Sequence, residues 1–146
     1  MKKRLLSLFS AILLLASLST VASAADIRAS AYFGATDVRA YAENNGVILF
    51  EIDVDATHTM QEVGASEVYV YEQQSDGDWE IVYTFTKTSH SFLIWRNSSC
   101  AYVDARYQGT IGKKYFATVA CYARDSEGAE WLYGDTRVVT AVQFEE

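Results

Sequence analysis

The feature that most constrains this chain is an alternation of apolar and polar side chains that recurs from run to run. In "GVILFEIDVDA", Ile48, Phe50, Ile52 and Val54 take one face while Glu51, Asp53 and Asp55 take the other, with Leu49 the exception. A pleated strand points successive side chains to opposite sides, so this spacing gives one dry face and one wet one. Asn44-Asn45-Gly46 precedes the run as a turn signal, because Asn and Gly accept positive φ. "SEVYVYEQQ" sets Val68 and Val70 against Tyr69 and Tyr71. "SDGD" then supplies an Asp-Gly turn, and "WEIVYTF" returns with Trp79, Ile81, Tyr83 and Phe85 in phase, which predicts a β-hairpin. Further strands are expected from Ala101 to Tyr107, with Val103 and Ala105 inward, and over "YFATVACYARD", with Tyr115, Ala117, Val119 and Cys121 inward. "TRVVTAV" and a segment within Arg28–Tyr41 bring the total to about seven. Short strands separated by turn residues predict an all-β fold, an antiparallel β-sandwich of the immunoglobulin/fibronectin type III-like kind.

The chain opens differently. Lys2, Lys3 and Arg4 are followed by the apolar run "LLSLFSAILLLASL" and by the small residues Ala22-Ser23-Ala24. That order is the pattern of a secretory signal peptide, expected over residues 1–24 with cleavage after Ala24. Residues 25–146 then form a single domain, secreted to the extracellular or cell-envelope space and not membrane-bound in its mature form. Three of the 12 basic residues belong to the leader, so the mature chain carries 9 against 19 acidic ones. Nucleic acid is excluded as a partner, because phosphate binding requires clustered Lys and Arg. In an exported chain the pair Cys100 and Cys121 reads first as a disulfide, with two buried free thiols as the alternative.

"IGKKYFATVACYA" resembles the penultimate strand of fibronectin type III and immunoglobulin-like domains, where a glycine corner precedes a tyrosine that bonds back to the corner's backbone. The resemblance makes Gly112 and Tyr115 that structural corner. Over a longer span, "YFGATDVRAYAENNGVILFEIDVDATHTMQEVGASEVYVYEQ" is similar to a family of small exported proteins of Gram-positive bacteria. Shared features are Thr59-Met60, Gly64-Ala65, Trp79 and the later Gly-Lys-Lys-Tyr. This likeness implies a fold and an address; it supplies no active site.

Candidate chemistry is sparse. "DVDATHTMQEVGAS" gathers acids, hydroxyls and His58 between two apolar runs. It reads as a connection from a strand ending near Asp55 to one beginning near Ser66, with Met60 and Val63 plugging the core and Gly64 allowing the bend. His90 lies far along the chain, and no zinc-type spacing of His or Cys occurs, so neither metal nor cofactor is expected. Asp76 and Asp78 are accounted for by the hairpin turn rather than by calcium. Asn97-Ser98-Ser99 matches a glycosylation acceptor, set aside for a bacterial chain. No Gly-x-Ser-x-Gly elbow is present and no catalytic residue is assigned; the chain is expected not to be an enzyme.

The aromatic residues are the better lead. Tyr69, Tyr71 and Tyr122 fall out of phase with the apolar faces of their strands, and Trp95 and Trp131 sit in loop-like stretches. Covering rings on a small sandwich is the bland role for such residues. The functional expectation is a non-catalytic protein that mediates extracellular protein interactions, or alternatively a carbohydrate-binding module with Trp and Tyr platforms.

Overall fold

The computed structural model describes residues 30–144, so the expected leader and its cleavage site lie outside the described residues. Seven antiparallel strands follow in order: β1 (Phe33–Ala42), β2 (Val47–Gln73), β3 (Trp79–Thr86), β4 (Ile94–Gln108), β5 (Lys114–Arg124), β6 (Ala129–Asp135) and β7 (Val139–Thr140). The protein is all-β among the described residues apart from two short 3-10 turns.

β2 organises the rest. Its first half, Val47–Asp55, lies between β1 and β4, and its second half, Glu67–Gln73, lies between β3 and β5. One seven-stranded sheet therefore curls into a half-barrel whose two halves, here called layers, share this strand. The inward side chains of both halves form a single core, including Phe50, Ile52 and Val54 from one and Val68, Val70 and Val119 from the other. These are the residues that the period-two pattern marks as apolar.

The segment from Asp53 to Ser66 is the middle of that strand, which corrects the connection expected from sequence. Asp55 pairs with Cys100 and Met60 with Ser98, so residues 56–59 bulge out opposite Ser99. The bulge breaks the alternation locally and turns β2 from one layer into the other. Beyond it, Met60, Val63 and Ala65 are fully buried, and Glu62–Gly64 is paired on both sides, with β4 and with β5. Gly64 makes this crossing possible. Its φ is +145°, and a Cβ there would drive into the carbonyl oxygen of Leu93.

A second irregularity corrects the phase of β3. Tyr83 pairs with Val70 but Ile81 pairs with Tyr71, which leaves Val82 as an extra residue. Trp79 and Ile81 consequently share the outward face with Tyr71, while Tyr83 and Phe85 stay on the inward side with Val70 and Val68.

At the other end of the chain, "AEWLYGD" is strand β6, paired with β5 from Thr118↔Asp135 to Arg124↔Ala129. The strand expected over "TRVVTAV" shrinks to the two residues of β7. Thr136 and Arg137 account for the shortening. Thr136 accepts from the Ala117 amide at 3.0 Å, and the Arg137 guanidinium donates to the Ala40 carbonyl at 3.0 Å, tying this segment across layers instead of along one.

Candidate binding face

The pairing registers decide which aromatic residues meet. On β5 the inward set Tyr115, Ala117, Val119, Cys121 and Ala123 is fully buried, so Phe116, Thr118, Ala120, Tyr122 and Arg124 face outward. Tyr71 pairs with Phe116, Tyr69 with Thr118, Tyr133 with Ala120 and Trp131 with Tyr122. Cross-strand partners share a face. Four of the residues expected from sequence, Tyr69, Tyr71, Tyr122 and Trp131, therefore share one outer face with Trp79, Phe116 and Tyr133, but Tyr122 is 3% exposed and lies covered by Lys87 and Trp131.

The rings form contacts along this strip. Tyr71 stacks on Phe116 with centroids 4.6 Å apart, and Trp79 meets Phe116 edge-on at 4.8 Å. Tyr122 lies 5.2 Å from Trp131. Trp131 and Tyr133 remain 49% and 64% exposed, so their faces are free for a partner. The Tyr69 hydroxyl donates to Glu67, and that bond pushes the phenol up to about 12.

Trp95 is elsewhere. It is a strand residue of β4, as Trp131 is of β6, which corrects the loop-like reading of both. Its ring packs edge-on against Tyr102 at 6.1 Å, and Tyr102 pairs with Asp53 on the outer surface of the other layer.

At one end of the strip sits a charged cluster that no single segment announces. Glu62 pairs across β2 with Arg96 of β4 on one side and Arg124 of β5 on the other. Arg96 reaches its carboxylate at 2.9 Å, Arg124 at 3.4 Å and Lys87 at 3.3 Å. Burial alone would lift the Glu62 carboxyl; the Lys87 hydrogen bond and the three cations outweigh it and hold the group below the usual range. Lys87 also lies 3.8 Å above the Tyr122 ring, a cation–π contact that links the cluster to the aromatic strip. Two adjoining hollows of about 300 Å³ each share Lys87 and Thr88; one is floored by Glu62 and Arg96, the other is walled by Trp131.

The disulfide expected between Cys100 and Cys121 does not form, and both cysteines are free. Cys100 pairs with Asp55 on an outward position of β4, whereas Cys121 pairs with Ala65 and points into the core. They occupy opposite faces and distant points along β2. Burial pushes the Cys121 thiol up to about 11, which leaves it protonated and unreactive.

The corner before β5 is built from Gly112, at φ +87°, and Tyr115. The Tyr115 hydroxyl accepts from the Thr110 amide at 2.8 Å and donates to Glu72 at 2.6 Å. That donated bond and the neighbouring Lys113 together hold the Glu72 carboxyl low against its burial.

His58 engages Thr57 through Nδ1 at 3.0 Å and Asp125 through Nε2 at 3.0 Å. A hydroxyl, an imidazole and a carboxylate in series resemble a nucleophilic relay. Here the Thr57 hydroxyl donates to the Ala31 carbonyl at 2.7 Å, and Asp125 also takes the amides of Glu127 and Gly128 and the Tyr32 hydroxyl. Each member is occupied in fastening the bulge of β2 to the β5–β6 turn. Among the described residues, no group of three or more His, Cys, Asp or Glu side chains is placed to hold a metal ion.

No family model matches the chain, and no curated protein matches it. Among solved structures it is similar to the solution structure of a protein described as late embryogenesis abundant (LEA). The TM-score is 0.45 at 9% identity, over 97% of this chain and 87% of that one.

Proposed function

We propose that this protein is a non-catalytic binding module of the extracellular or cell-envelope space, with the two-layer build of immunoglobulin/fibronectin type III-like modules. Its outer aromatic strip would be a carbohydrate contact surface. The observation that carries this reading is the gathering of Trp79, Phe116, Tyr71, Tyr69, Tyr133, Tyr122 and Trp131 on one outward sheet face. From Phe116 to Tyr122 the strip runs about 20 Å along β5 at strand rise, the span of a few sugar rings. Flat rings set in a sheet present the apolar faces that sugars stack on, and neighbouring hydroxyls such as Thr84 and Thr118 supply polar partners. The leader-like opening sequence supports the address.

Retention on insoluble polysaccharides tests the proposal. The purified protein should be held by at least one polymer and released by Trp131→Ala and Tyr133→Ala, while Trp95→Ala leaves retention unchanged. Failure to bind across a broad panel, or loss only with Trp95→Ala, would count against it.

A second reading, protein interaction, is favoured by a separate surface. Val82 and Tyr83 of edge strand β3 and Phe92 of the adjoining 3-10 turn are 36, 41 and 47% exposed. Exposed apolar side chains on an edge strand are a docking feature. Val82→Asp and Phe92→Asp should abolish a protein contact there while sparing polysaccharide retention.

A further inference from the structure

Among the ion pairs of the described residues, cations outnumber the acid at one place, while Lys113 and His58 each meet a single carboxylate. Arg39 is surrounded by Asp37, Glu51 and Asp53, and Arg106 by Glu43 and Asp104. At Glu62 the ratio inverts, and Lys87, Arg96 and Arg124 share one carboxylate. Glu67 also borders the groove and keeps its charge while accepting from the Tyr69 hydroxyl, so Lys87 and Arg96 in the lining are matched by Glu62 and Glu67, and the excess positive charge comes from Arg124 on the far side of Glu62. In a chain of net charge −7, this is a local positive site. It lies at the foot of Trp131 and is lined by the hydroxyls of Ser66, Thr86, Thr88 and Ser91.

We propose that this groove takes the anionic group of an acidic saccharide, with the sugar ring on Trp131 and its carboxylate on Lys87 and Arg96. The inference rests on the carbohydrate reading of the aromatic strip and names its substrate class. Arg96 is 69% exposed at its side chain, so its unused N–H donors can reach a ligand while one nitrogen keeps Glu62. Lys87 is held by Glu62 and Tyr122 and is already positioned. Hydroxyl side chains around the cations match a ligand bearing both a charge and many hydroxyls, which a simple anion lacks.

Affinity electrophoresis separates the possibilities. The purified protein is run through gels containing polygalacturonate, its methyl-esterified form, or polyglutamate, with circular dichroism checking the fold of each variant. Polygalacturonate should retard the protein, and rising salt should weaken the retardation. Arg96→Gln should reduce affinity about tenfold, the order expected for one charge-assisted hydrogen bond. Trp131→Ala should do so to a similar degree. Equal retardation by the methyl ester would overturn the charged groove yet leave the aromatic strip as a neutral-sugar surface. Equal retardation by polyglutamate would reduce the site to a plain anion contact and overturn the saccharide assignment. No retardation by polygalacturonate would overturn the inference, and the polysaccharide panel with Tyr133→Ala then decides the strip separately. The salt dependence of the unmodified protein keeps the test valid if a variant does not fold.

Discussion

The two outer faces of this protein are built on one strand and differ in chemistry, although Trp95 and Tyr102 also put rings on the acidic one. From the first half of β2, Glu51, Asp53 and Asp55 point outward beside Asp37 and Asp104, giving an acidic surface with Arg39 threaded through it. From the second half, Tyr69 and Tyr71 point outward and join the rings of β5 and β6. The inward residues of both halves are apolar and completely buried. Burial demands the same thing of each layer, whereas water tolerates either charge or rings. The contrast therefore locates the residues that folding alone does not require. An acidic, ion-paired face keeps a small domain soluble. A ring-bearing face exposes apolar area, here at Trp131 and Tyr133.

The sharpest way to break this contrast is at the crossing between the layers. Gly64→Ala forces a Cβ into the Leu93 carbonyl at a positive φ, and the expected loss is about 3 kcal/mol or more. Because β2 serves both layers, thermal unfolding of this variant should stay a single transition followed identically by tryptophan fluorescence and far-ultraviolet circular dichroism. Two separated transitions would mean that the layers are independent units and that the comparison joins unrelated parts.

Glu62→Gln comes next. It leaves three cations facing each other around a neutral amide, with an expected cost of about 2 kcal/mol, reduced from the fully buried case because the cations are partly solvated. The pH dependence follows from the same group. Its folded pKa is depressed, so the stability it contributes is complete above its unfolded value, about 4.3, and is lost as pH falls through the folded value. Acid titration of the thermal midpoint should therefore be shallower below about pH 4.3 in Glu62→Gln than in the unmodified protein. Tyr115→Phe should cost a comparable or slightly smaller amount, about 2 kcal/mol, by leaving the Thr110 amide and the Glu72 carboxylate without their partner. On the acidic face, Arg39→Gln should move the midpoint less than any of these, since its ion pairs are exposed.

What sequence could show of this contrast follows from how local each signal is. Inward residues such as Ile48, Phe50, Ile52 and Val54 are legible because their period is contained in a few positions. Tyr69 and Tyr71 are legible as outward rings for the same reason. β2 reads as two strands because the bulge at residues 56–59 inserts polar side chains where a turn would carry them. β6 is hidden because Trp131 and Tyr133 alternate with the exposed Leu132, on an edge where neither face is fully buried. That Trp-x-Tyr spacing was the available signal for a strand. The meeting of Glu62, Arg96 and Arg124 has no local signature at all. Their positions become neighbours only through the registers of three strands, and a shift of one residue would place the charges on the opposite face.

The two cysteines give the smallest energetic effect and the cleanest reading of which face is which. Cys100 belongs to the acidic layer's outer surface, where Ser98 and Asp55 are its neighbours, and it is partly exposed. Cys121 is sealed in the core with its thiol pushed up to about 11. A thiol reagent applied to the native, unreduced protein should therefore modify Cys100 and spare Cys121, and denaturation should release the second thiol. Mass spectrometry counts the adducts directly: one before unfolding, two after. Absence of both adducts in the denatured, unreduced sample would mean that the two sulfurs are bonded. That bond would require Cys100 both to turn inward and to approach Cys121 along β2, a slip of β4 against β2 by an odd number of residues greater than one. The same slip would carry Tyr102 and Asp104 into the core and dissolve the acidic face, so a thiol count tests the register on which both surfaces stand.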